Sequence, residues 1–371
     1  MTSKIALLNT NFDQQKSSPP SIMTRINKAK SAYSTRRVDF SKCKELLTNA
    51  IPCSGDVVLA RIEKIGQHKK IELANGRRAT LYVGDEIIVA YGNRYAPDQF
   101  EATVPKIQAP CHLVAAGGIA AQFISKHDNM KAPTFITPIA ILGNGDGQPV
   151  NLSQFSLPNK NVGSQRPITL AVVGSSMNAG KTTTAASLIK GLVSSGLKVG
   201  AAKITGTGAG GDTWKMKDSG AVQVLDFVDA GVPSTYLLPF KKIITVLETL
   251  TAELTQSGAE VIVIEIADGL YQEETSSLLT AEIFSEKVDA LIFAAGDAMG
   301  SWAGVQWLKQ SSHIPVIAVS GKLTSSPLAI KEAEKALHMK VLTIKNLCSP
   351  SIFGFIQHCF SRQEILQSAY A

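Results

Sequence analysis

The stretch ITLAVVGSSMNAGKTTTAASLIKGL, residues 168–192, decides the fold of the C-terminal half. It opens with an apolar, β-branched run that is typical of a buried parallel strand. A loop of small residues, 174–180, follows, and the apolar residues after it recur at the spacing of an amphipathic helix. A strand, a glycine loop, a Lys-Thr pair and a helix in this order predict a phosphate-binding loop.

The residue types in this loop suit a phosphate. Loop amides and the helix N-terminus point to one place, where aligned dipoles favour an anion. Gly180 lets the backbone approach the anion, Lys181 can reach the β and γ phosphates, and Thr182 offers a hydroxyl to Mg²⁺. We predict that the nucleotide contacts the following loop residues: Gly174, Ser175, Asn178, Ala179, Gly180, Lys181, Thr182 and Thr183.

The glycine spacing departs from the usual motif. Five residues separate Gly174 from Gly180, where the usual motif has about four. In the usual frame, Ser175 holds the position of the first glycine. A chance Gly-Lys-Thr at a helix start is the alternative, but the strand, loop and helix all lie where the motif requires them.

Composition limits the function classes. The chain has 371 residues, 44% hydrophobic and 18% charged, which is enough for a full core and predicts two domains. No apolar run reaches the ~18–20 residues of a membrane span, so we expect no membrane association. Five scattered cysteines without a CxxC pair favour reduced thiols and a cytoplasmic location over zinc or disulfides. The net charge of +7 is not clustered with aromatics, so we expect no specific nucleic-acid partner.

The pattern along the chain predicts its domains. Residues 1–40 are polar and basic and predict a flexible arm, either disordered or loosely docked, with an organellar transit peptide as the alternative. Residues 41–166 predict a β-rich domain, because short alternating runs between 52 and 105 are separated by turn residues, as in a small barrel or curled sheet. Residues 153–167 are predicted to form a linker. Residues 167–371 alternate strand and helix, which predicts a doubly wound parallel sheet. The fold class is α/β, with a C-terminal P-loop NTPase domain preceded by a β-rich N-terminal domain.

Polar residues follow several predicted strands of the second half. Lys203 ends the run LKVGAAKI, and Asp212 closes the glycine-rich segment after it. Glu265 and Asp268 end the apolar run EVIVIEIAD, and Asp297 follows the run DALIFAAG. Ligands bind at the carboxyl ends of parallel strands, so these groups are candidate site residues. Each carboxylate also has a structural alternative, as a helix cap or a turn residue.

The loop GSSMNAGKTTT resembles that of dethiobiotin synthetases, which share the longer glycine spacing. In that family a lysine ends the next strand, an aspartate begins the following helix and a glutamate ends a later strand. Those positions match Lys203, Asp212 and Glu265. The resemblance implies a Mg²⁺ site at Thr182, Asp212 and Glu265. It also implies that Lys181 and Lys203 are catalytic and hold the phosphate and the reacting anion.

Two further resemblances bear on the same half. The segment GGDTWKMKDSGA looks like the aspartate-led helix of molybdopterin-guanine-dinucleotide accessory GTPases. Residues 168–345 are similar to a large, mostly uncharacterised family of P-loop proteins that includes D-glutamate N-acetyltransferases, through VVGSSMNAGKTTT, AAKITGTGAGGDTW, DGLYQEET and FAAGDAMG. The text IADGLYQEET replaces the glycine-rich segment of the synthetases, which speaks against the same substrate. No Asn-Lys-x-Asp guanine signature occurs, and the nearest stretch, VSGKLTSS, favours ATP over GTP.

Three functions fit these observations. The first is a Mg²⁺- and ATP-dependent (or GTP-dependent) enzyme, ligase-like or kinase-like, that activates a small acidic metabolite by phosphoryl transfer. A nitrogen nucleophile would then attack the acyl- or carbamoyl-phosphate intermediate. The second is an N-acyltransferase in which the same loop holds the phosphates of acetyl-CoA. The third is a nucleotide-binding accessory or switch protein without its own metabolite substrate. A homodimer is compatible with each of them.

The first half offers a few reactive side chains. The segment GNRYAPDQFE either recognises a substrate or forms a solvated hairpin turn. Its candidate residues are Arg94, Tyr95, Asp98 and Glu101. The neighbouring pair Cys111 and His112 does not predict a catalytic dyad, because adjacent residues of a strand point to opposite faces.

Overall fold

The protein is described by a computed structural model that covers residues 21–160 and 166–370. Its strands form a nine-stranded sheet, a six-stranded sheet and a two-stranded hairpin. The larger sheet and the hairpin belong to the first part of the chain, which we call the barrel lobe (residues 21–157). The six-stranded sheet belongs to the second part, the sheet lobe (residues 166–370). The fold is mixed α/β, as the sequence predicts.

The barrel lobe is built mostly from short strands. One helix, α1 (Ile22–Lys28), precedes them, and 3-10 turns lie at Tyr33–Thr35, Phe40–Lys42 and Leu152–Phe155. The strands are β1 (Lys30–Ser31), β2 (Glu45–Leu47), β3 (Val57–Lys64), β4 (Lys70–Glu72), β5 (Arg78–Thr80), β6 (Glu86–Tyr91), β7 (Arg94–Tyr95), β8 (Phe100–Thr103), β9 (Cys111–Ala115), β10 (Ile119–Lys126) and β11 (Thr134–Gly143).

Five of these strands close into a barrel. They pair in the order β6, β3, β11, β9, β10, and β10 returns to β6 where Ile119 pairs with Ala90. Closure removes the exposed strand edges that an open sheet would present. Along β3, Val58 and Ala60 pack into one apolar cluster and Leu59 packs into another. Both faces of the barrel wall are therefore buried at this strand.

The described part of the predicted arm, residues 21–40, is packed, which corrects the expectation of a flexible segment there; residues 1–20 lie outside the described residues. Ile26 and Val38 belong to the cluster that contains Leu59. Three of the basic side chains that suggested a solvated arm form ion pairs with carboxylates of the two lobes. The pairs are Arg25 with Glu86, Lys30 with Asp85, and Arg36 with Asp226 and Asp229.

The sheet lobe alternates strand and helix. Its strands are β12 (Ile168–Gly174), β13 (Val199–Lys203), β14 (Gln223–Asp226), β15 (Val261–Glu265), β16 (Ala290–Ala294) and β17 (Val316–Ser320). Its helices are α2 (Lys181–Ser194), α3 (Gly211–Asp218), α4 (Phe240–Gln256), α5 (Glu273–Thr280), α6 (Glu282–Lys287), α7 (Ala298–Ser311), α8 (Pro327–Leu337), α9 (Ile344–Leu347) and α10 (Ser351–Tyr370).

The six strands are parallel and helices cover both faces of their sheet. The strand order is β14, β13, β15, β12, β16, β17. On β12, Leu170 and Val172 pack with α2, α3, α9 and α10, while Ala171 and Val173 pack with α4 to α8. Burial on both faces explains the continuous apolar runs that the sequence shows at these strands.

The two lobes meet beside the loop that follows β13. The Tyr33 hydroxyl donates to Asp226 Oδ2 at 2.8 Å, and Arg36 Nη2 lies 2.7 Å from both Asp226 Oδ1 and Asp229 Oδ2. Glu72 accepts from the Gly210 amide at 3.0 Å and from the Trp214 indole at 2.9 Å. Of the predicted linker between the lobes, residues 161–165 lie outside the described residues. No helix among the described residues is long and apolar enough to cross a membrane.

Replacement of Arg36 by alanine tests the lobe interface. Asp226 and Asp229 would keep their buried charges without the guanidinium, so we expect a loss of about 3 kcal/mol in the free energy of unfolding. Urea denaturation measures this loss. Arg61→Ala is the matched control, because its ion pair with Glu63 is largely exposed and such pairs contribute about 0–1 kcal/mol. Equal effects of the two substitutions would contradict a structural role for Arg36.

Candidate functional site

The loop between β12 and α2 has the geometry of a phosphate-binding loop. β12 ends at Gly174, and α2 begins at Lys181 directly after Gly180, which has a φ of 101°. A Cβ on Gly174 would lie 2.7 Å from the carbonyl oxygen of Ala294, and one on Gly180 would lie 2.9 Å from the Lys322 amide nitrogen. Both glycines are therefore required by close packing of the backbone.

The remaining loop residues hold the loop in place. Asn178, with a φ of 63°, donates to the Asp98 carboxylate of the barrel lobe. The Ala179 carbonyl accepts from the Lys322 amide at 2.8 Å, and the Ser175 amide donates to the Ala294 carbonyl at 3.0 Å. The predicted loop residues thus bridge the barrel lobe, β16 and the turn after β17.

Lys181 is folded back over its own loop. Its Nζ donates to the carbonyl oxygens of Ser176 and Asp268, each at 2.7 Å. Burial lowers the pKa of this ammonium, and the nearby carboxylates of Glu265 and Asp268 oppose the shift. A phosphate in the loop would offer Lys181 a charged partner in place of two neutral carbonyls.

The three predicted metal ligands lie together at the start of α2. Thr182 Oγ1 is 3.1 Å from Asp212 Oδ1 and 3.0 Å from Glu265 Oε1. Glu265 is 2% exposed, and its other carboxylate oxygen, Oε2, is buried without a hydrogen-bond partner. Hard oxygen donors and an unpartnered buried carboxylate oxygen suit Mg²⁺.

This set has two protein carboxylates and one hydroxyl. Within the described ranges, no group of three or more His, Cys, Asp or Glu side chains could hold a metal by itself. Mg²⁺ in nucleotide sites is commonly bound through one or two carboxylates together with the phosphates of its substrate. The donor set therefore fits a metal that arrives with a nucleotide better than a metal held by the protein alone.

Lys203 lies beside these ligands because of strand register. β13 and β15 pair with Lys203 opposite Glu265, and the Lys203 ammonium forms an ion pair with Asp212. Burial alone would lower the pKa of Lys203, but the carboxylates of Asp212 and Glu265 outweigh burial and raise it. Burial raises the pKa of Glu265, whereas Lys203 outweighs burial at Asp212 and lowers its pKa.

A cavity of about 460 Å³ joins these residues to the barrel lobe. The sheet lobe contributes its loop, its metal-ligand candidates and Asp268, whose pKa burial raises. The barrel lobe contributes the other wall through Arg94, Tyr95, Ala96 and Gln99. The cavity is therefore large enough to hold a small molecule next to the terminal phosphate of a nucleotide.

A second cavity of about 450 Å³ opens on the other side of the loop. It shares Asn178, Gly180 and Thr183 with the first cavity, and its remaining lining comes from α2, the turn after β17 and the start of α9. Two lysines, Lys322 and Lys345, line it, and no carboxylate does among the described residues. Its position beside the phosphate loop suits the nucleoside part of a nucleotide.

Other candidates from the sequence have structural roles. Asp297 caps α7, with Oδ1 accepting from the Gly300 amide at 2.7 Å, and it does not line the cavity. Cys111 is buried, and His112 packs between Phe123 and Phe135. The prediction that Cys111 and His112 form no dyad is consistent with these contacts.

The sequence does not single out Gln99, whereas the turn after β17 falls within VSGKLTSS, the stretch nearest to a guanine signature. Gln99 accepts from Arg94 Nη2 at 2.7 Å and lines the first cavity. The turn after β17, residues 320–325, lines the second cavity. A signal existed for the turn, since it follows the carboxyl end of a parallel strand, but none distinguished Gln99 from an ordinary turn residue.

Several solved structures are similar to this chain. No family model and no curated protein matches the chain. The chain is similar to the signal recognition particle receptor FtsY from Elizabethkingia anophelis in complex with GDP, with a TM-score of 0.37, 14% identity, and 52% of this chain and 62% of that chain covered. It is also similar to the 54 kDa signal recognition particle protein from Aeropyrum pernix K1 in complex with GDP, with a TM-score of 0.36, 20% identity, and 59% and 55% covered.

A third similar structure is cell division protein FtsY from Thermotoga maritima, with a TM-score of 0.37, 16% identity, and 53% of this chain and 74% of that chain covered. The chain thus spans 62% of the length of the first structure and 55% of the second. The resemblances to dethiobiotin synthetases and D-glutamate N-acetyltransferases are not shown by these comparisons and stay predictions.

Replacement of Glu265 by glutamine tests the metal site. The substitution keeps the shape of the side chain but removes a buried charge, so we expect Mg²⁺ affinity in the presence of nucleotide to fall by about tenfold or more. The affinity is measured from the rise in the unfolding temperature of the nucleotide-loaded protein as Mg²⁺ is titrated. Glu332→Gln on the exposed side of α8 is the matched control. Unchanged Mg²⁺ dependence in the Glu265 variant would remove this residue from the site.

Proposed function

We propose that the protein binds a nucleoside triphosphate with Mg²⁺ and transfers its terminal phosphoryl group to a small acidic metabolite. One observation carries the proposal: Thr182, Asp212 and Glu265 converge at the loop that Lys181 closes, beside Lys203. Phosphoryl transfer relies mainly on positioning and on neutralisation of charge, and these residues supply both.

In the proposed reaction, a carboxylate or carbamate oxygen of the metabolite attacks the γ-phosphorus. The bond from the γ-phosphorus to the β–γ bridging oxygen breaks, and its electron pair stays on the nucleoside diphosphate. The product is an acyl or carbamoyl phosphate. A nitrogen nucleophile then attacks the carbonyl carbon, loses a proton and expels inorganic phosphate.

The side chains of the site have separate roles in this proposal. Lys181 leaves its two carbonyl partners and binds the β and γ phosphates. Lys203, held at the end of β13, binds the reacting anion and the charge that develops on the transferred group. Thr182, Asp212 and Glu265 would hold Mg²⁺, which when bound neutralises phosphate charge.

The second cavity supports ATP as the nucleotide. A guanine base presents N1–H and N2–H₂ donors side by side, which one carboxylate can accept together, whereas adenine presents a single N–H₂ donor. Among the described residues, the cavity lining offers hydroxyls, amides and two lysines but no carboxylate. Lys322 and Lys345 also suit an additional phosphate on a ribose, which keeps acetyl-CoA as a candidate ligand for the same cavity.

A nucleotide-dependent switch is a second candidate, because one helix joins the metal site to the lobe interface. Asp212 lies in the first turn of α3, and the next two residues contact the barrel lobe. The Thr213 hydroxyl lies 3.0 Å from the Tyr33 hydroxyl, and the Trp214 indole donates to Glu72 at 2.9 Å. A metal bound at Asp212 could therefore alter how the lobes pack.

Hydroxylamine trapping tests the proposed reaction. Acyl phosphates react with hydroxylamine to give hydroxamates and inorganic phosphate. The protein with Mg²⁺-ATP, hydroxylamine and a panel of small carboxylates is therefore expected to form hydroxamates, which give a coloured complex when Fe³⁺ is added. Lys181→Ala is expected to reduce the rate by about 10²-fold or more, because it removes a donor to the transferred phosphate. Lys190→Ala, an exposed position on α2, is the matched control.

The other outcomes of this assay separate the candidates. Slow ATP or GTP hydrolysis without hydroxamate, independent of any carboxylate, would contradict the transferase and favour the switch. Product that requires acetyl-CoA and is indifferent to ATP and Mg²⁺ would favour the acyltransferase. Full activity of Lys181→Ala would contradict a phosphoryl-transfer mechanism at this loop.

A further inference from the structure

Arg94 is a buried cation of the barrel lobe with an unused hydrogen-bond donor. It lies on β7, a two-residue strand that pairs with β8, and only 7% of it is exposed. Its Nη2 donates to Gln99 Oε1 at 2.7 Å, but its Nε is buried without a partner. Among the described residues no carboxylate forms an ion pair with Arg94, and burial lowers its pKa to about 10, which still leaves it charged at neutral pH.

This cation borders the cavity that contains the phosphate loop. Arg94, Tyr95 and Gln99 line the same space as Lys181 and Lys203. The carboxylate of Asp268 favours the charged form of Arg94 without pairing with it directly. Buried polar groups in proteins are almost always hydrogen-bonded, so a buried guanidinium with a free N–H at the border of this cavity is a candidate to bind an anion that enters the cavity.

The position of Arg94 separates this ligand from the nucleotide phosphates. The phosphates already have the loop amides, Lys181 and Lys203, all from the sheet lobe. Arg94 comes from the barrel lobe and lines the same cavity. An anion that it binds would therefore be held from the barrel lobe and not by the loop.

We infer that Arg94 binds a carboxylate of the phosphoryl acceptor, so that the barrel lobe selects the substrate. This inference rests on the proposed function. The guanidinium matches a carboxylate because its planar fork of N–H donors can pair with both carboxylate oxygens. Gln99 orients the fork through its bond to Nη2, and Nε has no acceptor.

The two cation groups define the class of acceptor. One anionic group must reach the γ-phosphorus near Lys203 to react, and a second anionic group is needed to pair with Arg94. When the reacting group is a carboxylate, the acceptor is a small molecule with two carboxyl groups, of a size that fits in a space of about 460 Å³ together with the terminal phosphates.

Binding measurements on Arg94 variants test this inference without relying on turnover. The probes are dicarboxylates from malonate to adipate and monocarboxylates of matched length. Each is titrated calorimetrically into the protein with Mg²⁺ and a non-hydrolysable ATP analogue, and again without the nucleotide. Wild type is expected to bind at least one dicarboxylate and to bind its monocarboxylate counterpart about tenfold more weakly or worse.

Two substitutions and one control complete the design. Arg94→Gln is expected to weaken dicarboxylate binding by about tenfold or more, and to leave nucleotide affinity within a factor of about two. Arg94→Lys keeps the charge but lacks the fork, so it is expected to bind the dicarboxylate with intermediate affinity. If Arg94→Gln does not fold, the affinity of Arg94→Lys for the dicarboxylate tests the inference by itself. Arg61→Gln, an exposed arginine on the same barrel, is expected to match wild type.

Each remaining outcome has one meaning. Unchanged dicarboxylate affinity in the Arg94 variants that fold would overturn the inference. So would equal losses of nucleotide and dicarboxylate affinity, which would assign Arg94 to the phosphates, and so would the absence of dicarboxylate binding in wild type. Dicarboxylate binding that depends on Arg94 in a protein that binds no nucleotide would support the inference and contradict the proposed function.

Discussion

The register of three parallel strands is the constraint on which the candidate site depends. β13 and β15 pair with Lys203 beside Glu265, and β12 pairs with β15 so that Val172 lies beside the same glutamate. β12 reaches the phosphate loop at Gly174, two positions further on. Adjacent strands lie about 4.8 Å apart, so the loop, the lysine and the glutamate meet at one edge of the sheet. A slip by one residue would turn Lys203 or Glu265 to the opposite face.

This arrangement concentrates charge before any ligand binds. The ammonium groups of Lys181 and Lys203 are held by two carbonyls and by Asp212, respectively, and one Glu265 oxygen has no partner. Buried charges are stable only when they are paired. A phosphate and a divalent cation would bring the missing partners, and the lobe interface fixes α3, which carries Asp212, from the other side through Glu72.

The sequence predicted the elements that depend on local pattern and missed those that depend on distant contacts. The phosphate loop follows from residue types between Gly174 and Thr182, and the strand ends follow from the alternation of strand and helix. By contrast, nothing local shows that β10 closes the barrel by pairing with β6, or that Arg36 reaches two aspartates far along the chain. Arg94 was identified as a candidate, but its burial could not be predicted, because a charged residue in a turn-rich segment is usually exposed.

Anomalous diffraction from crystals grown with Mn²⁺ and a non-hydrolysable ATP analogue tests the proposed metal site directly. Mn²⁺ takes the same oxygen ligands as Mg²⁺ and is located independently of the protein density. We expect one anomalous peak within about 2.0–2.6 Å of oxygens from Thr182, Asp212 or Glu265, with the β and γ phosphates in the loop. A peak elsewhere, or phosphates outside the loop, would contradict it.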